Sequence, residues 1–454
     1  MDSRARVRAS RPRASVVVPA TLLLLVATSN SQAAAPGYEI SVGVVETDNV
    51  QRLPSGGTSD TILDQEINFT WHDQRPRLNT DIDADLSHLT YVPHTFSDEV
   101  IGNFIGKARA ALVPQYLFWN ISDNFGQSNA NPTQAVTPEN RENINYFSTG
   151  PEAVLPLGGQ NLLDLKATYG KVYYQKSPFD NSRVGGGLGF IHLLSARTEV
   201  SLNVNDERIK YSNDTLNPDY DLQQAFAHFD ARGNRTTLGV DLGYGRAVDP
   251  NSSPGNLIAR LELSRKISAS SAISLSFGHG YSDAVAAFQL SQVLSGANLN
   301  TQQTVQTNGP STMVYETVAW NFLRNRTGFG ITLAHFKDDF VQSNTLNDTR
   351  TQLDANVSRQ LTPAVRVALL EDYYRQNFQN TTGSSKQSTS DARLTWRLSR
   401  QLSMSVDYTF TRRQSDVAST EFTENRLWLS IGYGRPAEVP PGVTAPPLPH
   451  PATY

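Results

Sequence analysis

The sequence predicts an all-β protein, an up-and-down antiparallel transmembrane β-barrel of about 16–20 strands. Three observations predict it: strict two-residue alternation of apolar and polar residues, connectors that are alternately long and short, and no later apolar run near the length of a membrane helix. The clearest alternation runs from Leu394 to Arg412, where Leu402, Met404, Val406, Tyr408 and Phe410 interleave with Ser403, Ser405, Asp407, Thr409 and Thr411. Such a strand has one apolar and one polar face. Ten residues at about 3.3 Å each, tilted by about 40°, reach roughly 25 Å, the height of the apolar band of an outer-membrane barrel.

Taken in order, the chain opens with Arg4, Arg6, Arg8, Arg11 and Arg13, continues apolar from Val16 to Ala27, and reaches small residues at Ala33, Ala34 and Ala35. A basic start, a short apolar stretch and small residues form the pattern of a cleaved secretory signal peptide, expected over 1–35. Without it the net charge of -4 becomes -8, since five arginines and one aspartate leave. An acidic chain of this kind repels nucleic acid. The absence of cysteine excludes disulfides, thiolate metal sites and a cysteine nucleophile.

From 36 to 434 the barrel domain is expected as about twenty segments, from 38–46 to 425–434. Long connectors at 47–60, 91–100, 126–142, 282–311 and 412–424 alternate with short ones at 72–77, 113–115, 359–363 and 399–401. Tight periplasmic turns and longer outer loops give a barrel this asymmetry. Three short turns share a spelling, Ser264-Arg265, Ser358-Arg359 and Ser399-Arg400, each followed two residues on by an aliphatic residue that restarts the alternation. Tyr38, Tyr91, Tyr169, Tyr174, Tyr244, Tyr281, Tyr373, Tyr408, Trp428 and Tyr433 lie mostly near strand ends, as an interfacial girdle requires. The remainder, 435–454, holds seven prolines and is expected to be an extended periplasmic tail.

Charges at polar strand positions are the best candidates for function. Asp164, Lys166, Asp241, Arg260, Glu262, Arg366, Arg393, Arg397 and Asp407 should face the lumen, either paired into ladders or selecting solutes. A wall of this many strands cannot fill its own interior. The lumen must be plugged or conduct, and the connector 282–311, rich in amides and hydroxyls, is the expected plug.

Other constellations carry less. His88 and His94, six residues apart, fit no standard metal spacing. His279 lies near Ser264, Ser274 and Ser276, a pairing that a serine-rich chain produces by chance. Gly185-Gly186-Gly187-Leu188-Gly189 lacks the lysine of a phosphate loop and reads as a bend or bulge. The expectation is a non-enzymatic protein with no catalytic residue, cofactor or metal.

Several short motifs carry a family likeness: Val45-Glu46-Thr47-Asp48-Asn49-Val50, Ser59-Asp60-Thr61-Ile62, Arg75-Pro76-Arg77-Leu78, Asn140-Arg141-Glu142 and Thr423-Glu424-Asn425-Arg426. On these the chain resembles the outer-membrane β-barrel family associated with PEP-CTERM and exosortase systems. The resemblance implies a Gram-negative outer membrane and a role, as pore or scaffold, in exopolysaccharide export or surface assembly. It implies outer-membrane lipids, polysaccharide and periplasmic export components as partners. A general diffusion porin is the alternative, and an outer-membrane enzyme acting on lipid or polysaccharide the third reading.

Overall fold

A computed structural model describes residues 36–215, 217–249, 253–295, 309–341, 347–379 and 383–435. The expected signal peptide lies outside them, as does the expected tail apart from Arg435, which is still the last residue of a strand.

Twenty strands follow one another: β1 (Gly37–Thr47), β2 (Asp60–Arg75), β3 (Leu78–Tyr91), β4 (Glu99–Val113), β5 (Leu117–Asn129), β6 (Arg141–Gly158), β7 (Asn161–Tyr174), β8 (Asn181–Ser195), β9 (Thr198–Tyr211) and β10 (Tyr220–Arg232). The second half holds β11 (Thr236–Val248), β12 (Gly255–Ser268), β13 (Ser271–Ser282), β14 (Ser311–Arg324), β15 (Thr327–Phe340), β16 (Asp348–Thr362), β17 (Val365–Phe378), β18 (Ser385–Arg397), β19 (Leu402–Ser415) and β20 (Phe422–Arg435). Among the described residues one α-helix, α1 (Ala284–Ser295), stands between β13 and β14, and a 3-10 turn, Ala418–Thr420, precedes β20. Each strand pairs antiparallel with its sequence neighbours, and β1 pairs with β20 from Tyr38↔Arg435 to Thr47↔Arg426. The sheet therefore closes and has no edge.

Alternation sets which face meets lipid. On β1, Ile40 and Val42 are 52% and 59% exposed, whereas Ser41 and Val45 between and beyond them are 5% and 4% exposed. On β20, Leu427, Leu429, Ile431 and Tyr433 are exposed while Glu424 and Ser430 are buried. Leucine, valine and isoleucine pointing outward all round the wall form a lipid-facing belt, and the polar set points inward. Among the described residues no helix is long and apolar enough to cross a membrane.

The connectors fall as expected. Two to four residues link the strands at one rim, for example Pro76-Arg77 and Gly159-Gln160, while the other rim carries the long loops. All five register shifts, at Ala111/Val113, Pro156/Gly158, Leu193/Ser195, Lys266/Ser268 and Gln360/Thr362, sit beside short turns. There a bulge turns the chain tightly without disturbing the mid-membrane ladder.

Two sequence expectations are corrected. The Gly185–Gly189 run makes no bulge: its register to β7 and β9 is unbroken. A Cβ at Gly187 or Gly189 would stand 2.8 or 2.9 Å from Asn205 or Asn203 Oδ1, so these glycines leave room for neighbouring amides. Of the proposed girdle, Tyr38, Tyr169, Tyr244, Tyr408 and Tyr433 are exposed on the outer face, but Tyr91, Tyr174 and Tyr281 are buried. Tyr91 and Tyr174 pack in apolar clusters near the long-loop rim instead.

Leu429 lies at the middle of β20, so Leu429→Arg should destabilise the barrel by about 2–4 kcal/mol, measured by denaturant titration with refolding into vesicles. The inward Ser405→Ala should cost much less in the same titration.

Candidate functional site

The lumen is the candidate site, and what shapes it is α1. Its sequence, AVAAFQLSQVLS, contains no charge. Asp283 starts the helix: its Oδ1 accepts from Ala286 N at 2.9 Å, an N-cap that satisfies an otherwise orphaned amide. Beyond the cap, apolar residues and glutamines alternate over the helix surface, which suits a segment touching protein on more than one side.

Phe288 is fully buried among Ile144, Tyr146, Val172 and Tyr174 of β6 and β7, with Val285 beside it. Ala287 and Leu290 pack against Met313, Tyr315, Ala334 and Phe336 of β14 and β15. Near the helix's far end Gln292 donates to Asn103 Oδ1 and, at 2.8 Å, to Phe125 O, and accepts from Asn124 Nδ2 at 3.1 Å. Gln289 also reaches Asn124, at 3.3 Å. In a ring of twenty strands β5 and β15 are half a turn apart, so α1 crosses the lumen from wall to wall. Gly126 makes room for it: a Cβ there would stand 3.0 Å from the Phe288 ring.

The base of the helix is held by charge. Arg183 of β8 pairs with Asp283 at 2.7 Å and with Glu207 of β9 at 3.4 Å, and Tyr220 donates to Asp283 Oδ2 at 3.0 Å. Burial alone would raise the Asp283 pKa, but Arg183 and the donors from Ala286 and Tyr220 outweigh it and hold the carboxyl below its ordinary value. The tie is therefore a full ion pair at neutral pH.

A second element covers the other half of the lumen. The connector between β5 and β6, residues 130–140, is braced by Asn140, which donates to Asn131 O and Ala135 O. It reaches over to Arg413 of β19, whose Nη2 donates to Thr133 O at 3.2 Å, and to Arg52, whose Nη1 donates to Val136 O at 2.5 Å. Arg413 is almost fully buried and also donates to Tyr374 Oη at 3.1 Å.

All nine candidate charges fall on the face opposite the exposed apolar residues of their strands. Asp164 and Lys166 pair at 3.0 Å. Asp241 is gripped by Arg260 at 3.2 Å and by His228 Nδ1 at 2.6 Å, with Glu262 two residues further along β12. Arg393 pairs with Asp407 across β18 and β19. Arg366 donates to Ser358 Oγ at 3.1 Å beside a short turn, and Arg397 lines a cavity of about 530 Å³ between β16–β20 and β1–β3. The structure does not bring His279 to Ser274 and Ser276, because odd and even positions of β13 lie on opposite faces. His279 Nδ1 is instead 2.8 Å from Leu257 O.

Sequence reasoning missed α1 itself, the Asp283–Arg183 tie and the loop 130–140. The run Ala284-Val285-Ala286-Ala287 was the available signal for a helix. Of the amide- and hydroxyl-rich connector 282–311, residues 296–308 lie outside the described residues.

Comparison with known proteins places this geometry. Residues 312–433, which span β14 to nearly the end of β20, match the family model described as "Putative beta-barrel porin 2". No curated protein matches the sequence. Similar solved structures include the ferric enterobactin receptor PfeA of Pseudomonas aeruginosa, at 10% identity over 89% of this chain and 81% of that one, TM-score 0.46. The FrpB iron transporter of Neisseria meningitidis aligns at 8% identity over 88% and 83%, TM-score 0.47. A BenF-like porin of Pseudomonas fluorescens aligns at 10% identity over 88% and 98%, TM-score 0.39. Nothing about cargo follows from these. The chain is a porin-like β-barrel of the Gram-negative outer membrane, on the closed ladder, the lipid-facing belt and the porin family model.

Asp283→Asn should weaken the base of α1 by on the order of 3 kcal/mol, since it removes one partner of a buried pair. With cysteines placed at Asn124 and Gln292, in a chain that has none, oxidation should trap the helix across the lumen. The Asp283→Asn background should slow that trapping measurably. Because the folded pKa of Asp283 is depressed, its contribution is complete above the ordinary value of 3.8 and is lost only as pH falls below it. Trapping yield, read after oxidation has run to completion, should therefore stay flat between pH 5 and pH 8 (roughly the neutral-to-mildly-acid range) and fall only under stronger acid.

Proposed function

We propose that this barrel is a non-enzymatic channel for small polar solutes, narrowed by α1 and roofed in part by the loop 130–140. The observation that carries the reading is the inward helix, tied at its base by Asp283 and near its far end by Gln292, in a barrel that keeps a cavity of about 530 Å³ open along β16–β20 and β1–β3. A side-chain-filled plug would leave no such space. A constriction set beside open volume passes solutes by size and polarity.

A second reading, support of exopolysaccharide export, rests on the family resemblance and on the chemistry of the cavity wall. Ser87, Thr389, Thr395, Ser405, Thr409 and Ser430 present hydroxyls along it, with Asn68 and Asn356 adding amides. Such groups offer paired donors and acceptors to sugar hydroxyls. An extended polymer strand would need the roof at 130–140 to lift.

Purified protein in planar bilayers should give discrete current steps, and removing residues 284–308 should enlarge them several-fold. Unchanged conductance after that deletion would count against α1 as the constriction. Loss of surface polysaccharide from a deletion strain, with wild-type current absent, would favour the export reading instead.

A further inference from the structure

The charges of the lumen are not distributed evenly, and the imbalance has a direction. On the β4–β13 side these acids each meet a base, five acids on four bases: Arg109 with Glu152 at 3.0 Å, Asp164 with Lys166, Asp241 with Arg260, and Arg183 with both Glu207 and Asp283. The cavity between β16–β20 and β1–β3 is different. Asp64, Glu66, Asp85, Asp354, Asp372 and Asp391 all line it, and among the described residues none of the six is in an ion pair.

The sheet register itself forces carboxylates together here. Asp354 and Asp372 are direct cross-strand partners. Like charges opposite one another on a sheet are destabilising unless something positive lies between them. In this structure only a neutral group does so: Gln352 Nε2 donates to Asp354 Oδ1 at 3.2 Å and to Asp372 Oδ2 at 3.3 Å. Asp64, Asp372 and Asp391 each keep a buried Oδ1 without a hydrogen-bond partner. Glu39, Glu371 and Asp407 line it too, against Arg393, Arg397, Arg400 and Arg426, so nine acids face four arginines, and Asp407 already takes Arg393.

We infer that this cavity is a cation conduit, and that Asp64, Glu66, Asp85, Asp354, Asp372 and Asp391 make the pore select small cations over anions. The inference rests on the channel reading above and names the class of solute. A wall of fixed negative charge concentrates cations and excludes anions, and low-dielectric surroundings strengthen the effect. The paired charges on the other wall add structure and a smaller net field.

The test is the reversal potential of the purified full chain in a potassium chloride gradient. The expected potassium-over-chloride permeability ratio is about three or more, falling toward one in Glu66→Gln/Asp354→Asn with the current steps retained. Asp164→Asn, on the other wall, should move the ratio much less. A wild-type ratio at or below one would overturn the inference while leaving the channel standing, as would a ratio unmoved by the paired substitution. Absence of any current, with 284–308 also removed, would overturn the channel reading and this inference with it. The wild-type measurement decides the matter even where a variant fails to fold.

Discussion

Everything in this molecule depends on β1 meeting β20. In hydrocarbon no water can satisfy an unpaired backbone amide, so a sheet that spans a membrane must bond its last strand to its first. The ten paired positions from Tyr38↔Arg435 to Thr47↔Arg426 do this between residues nearly four hundred apart in sequence. Closure fixes the number of strands, the strand number fixes a wide interior, and the wide interior creates the need for inward elements such as α1.

The interior is divided by that helix into regions of different chemistry. One wall meets α1 through aromatic packing and amide hydrogen bonds, with several of its charges held in ion pairs. The other wall holds the open space, hydroxyls and unpaired carboxylates. Both walls satisfy the same alternation on their outer faces, since lipid asks only that alternate residues be apolar and leaves the inner face free to vary.

That freedom explains what the sequence revealed and what it concealed. Strand existence, the long and short rims, and the lipid-facing set of β19 and β20 were legible because a two-residue period is a local property. The inward charges were legible for the same reason: Asp407 is polar at the position where Val406 and Tyr408 are apolar. Partnership was not legible. Nothing local links Arg393 to Asp407, Arg183 to Asp283 or Gln292 to Asn103, since these pairings follow from register and from a chord across the ring. Tyr91 and Tyr174 misled because an aromatic near a strand end suits an interface equally well from either face, and here inner apolar clusters claimed them. The glycines of β8 misled similarly, since a missing side chain signals space without saying whether backbone or a neighbouring amide will use it.

Asp283 joins two tasks in a single carboxylate. One oxygen begins the helix by accepting from Ala286, and the other accepts from Tyr220 and faces Arg183 on a strand five positions round the ring. The helix therefore has no independent existence as a rod that docks and undocks. Pulling it from the wall strips its first turn of the acceptor that started it, and unwinding that turn frees the wall contact. Order in the first turn and attachment of the helix base to the wall are thus coupled through one side chain.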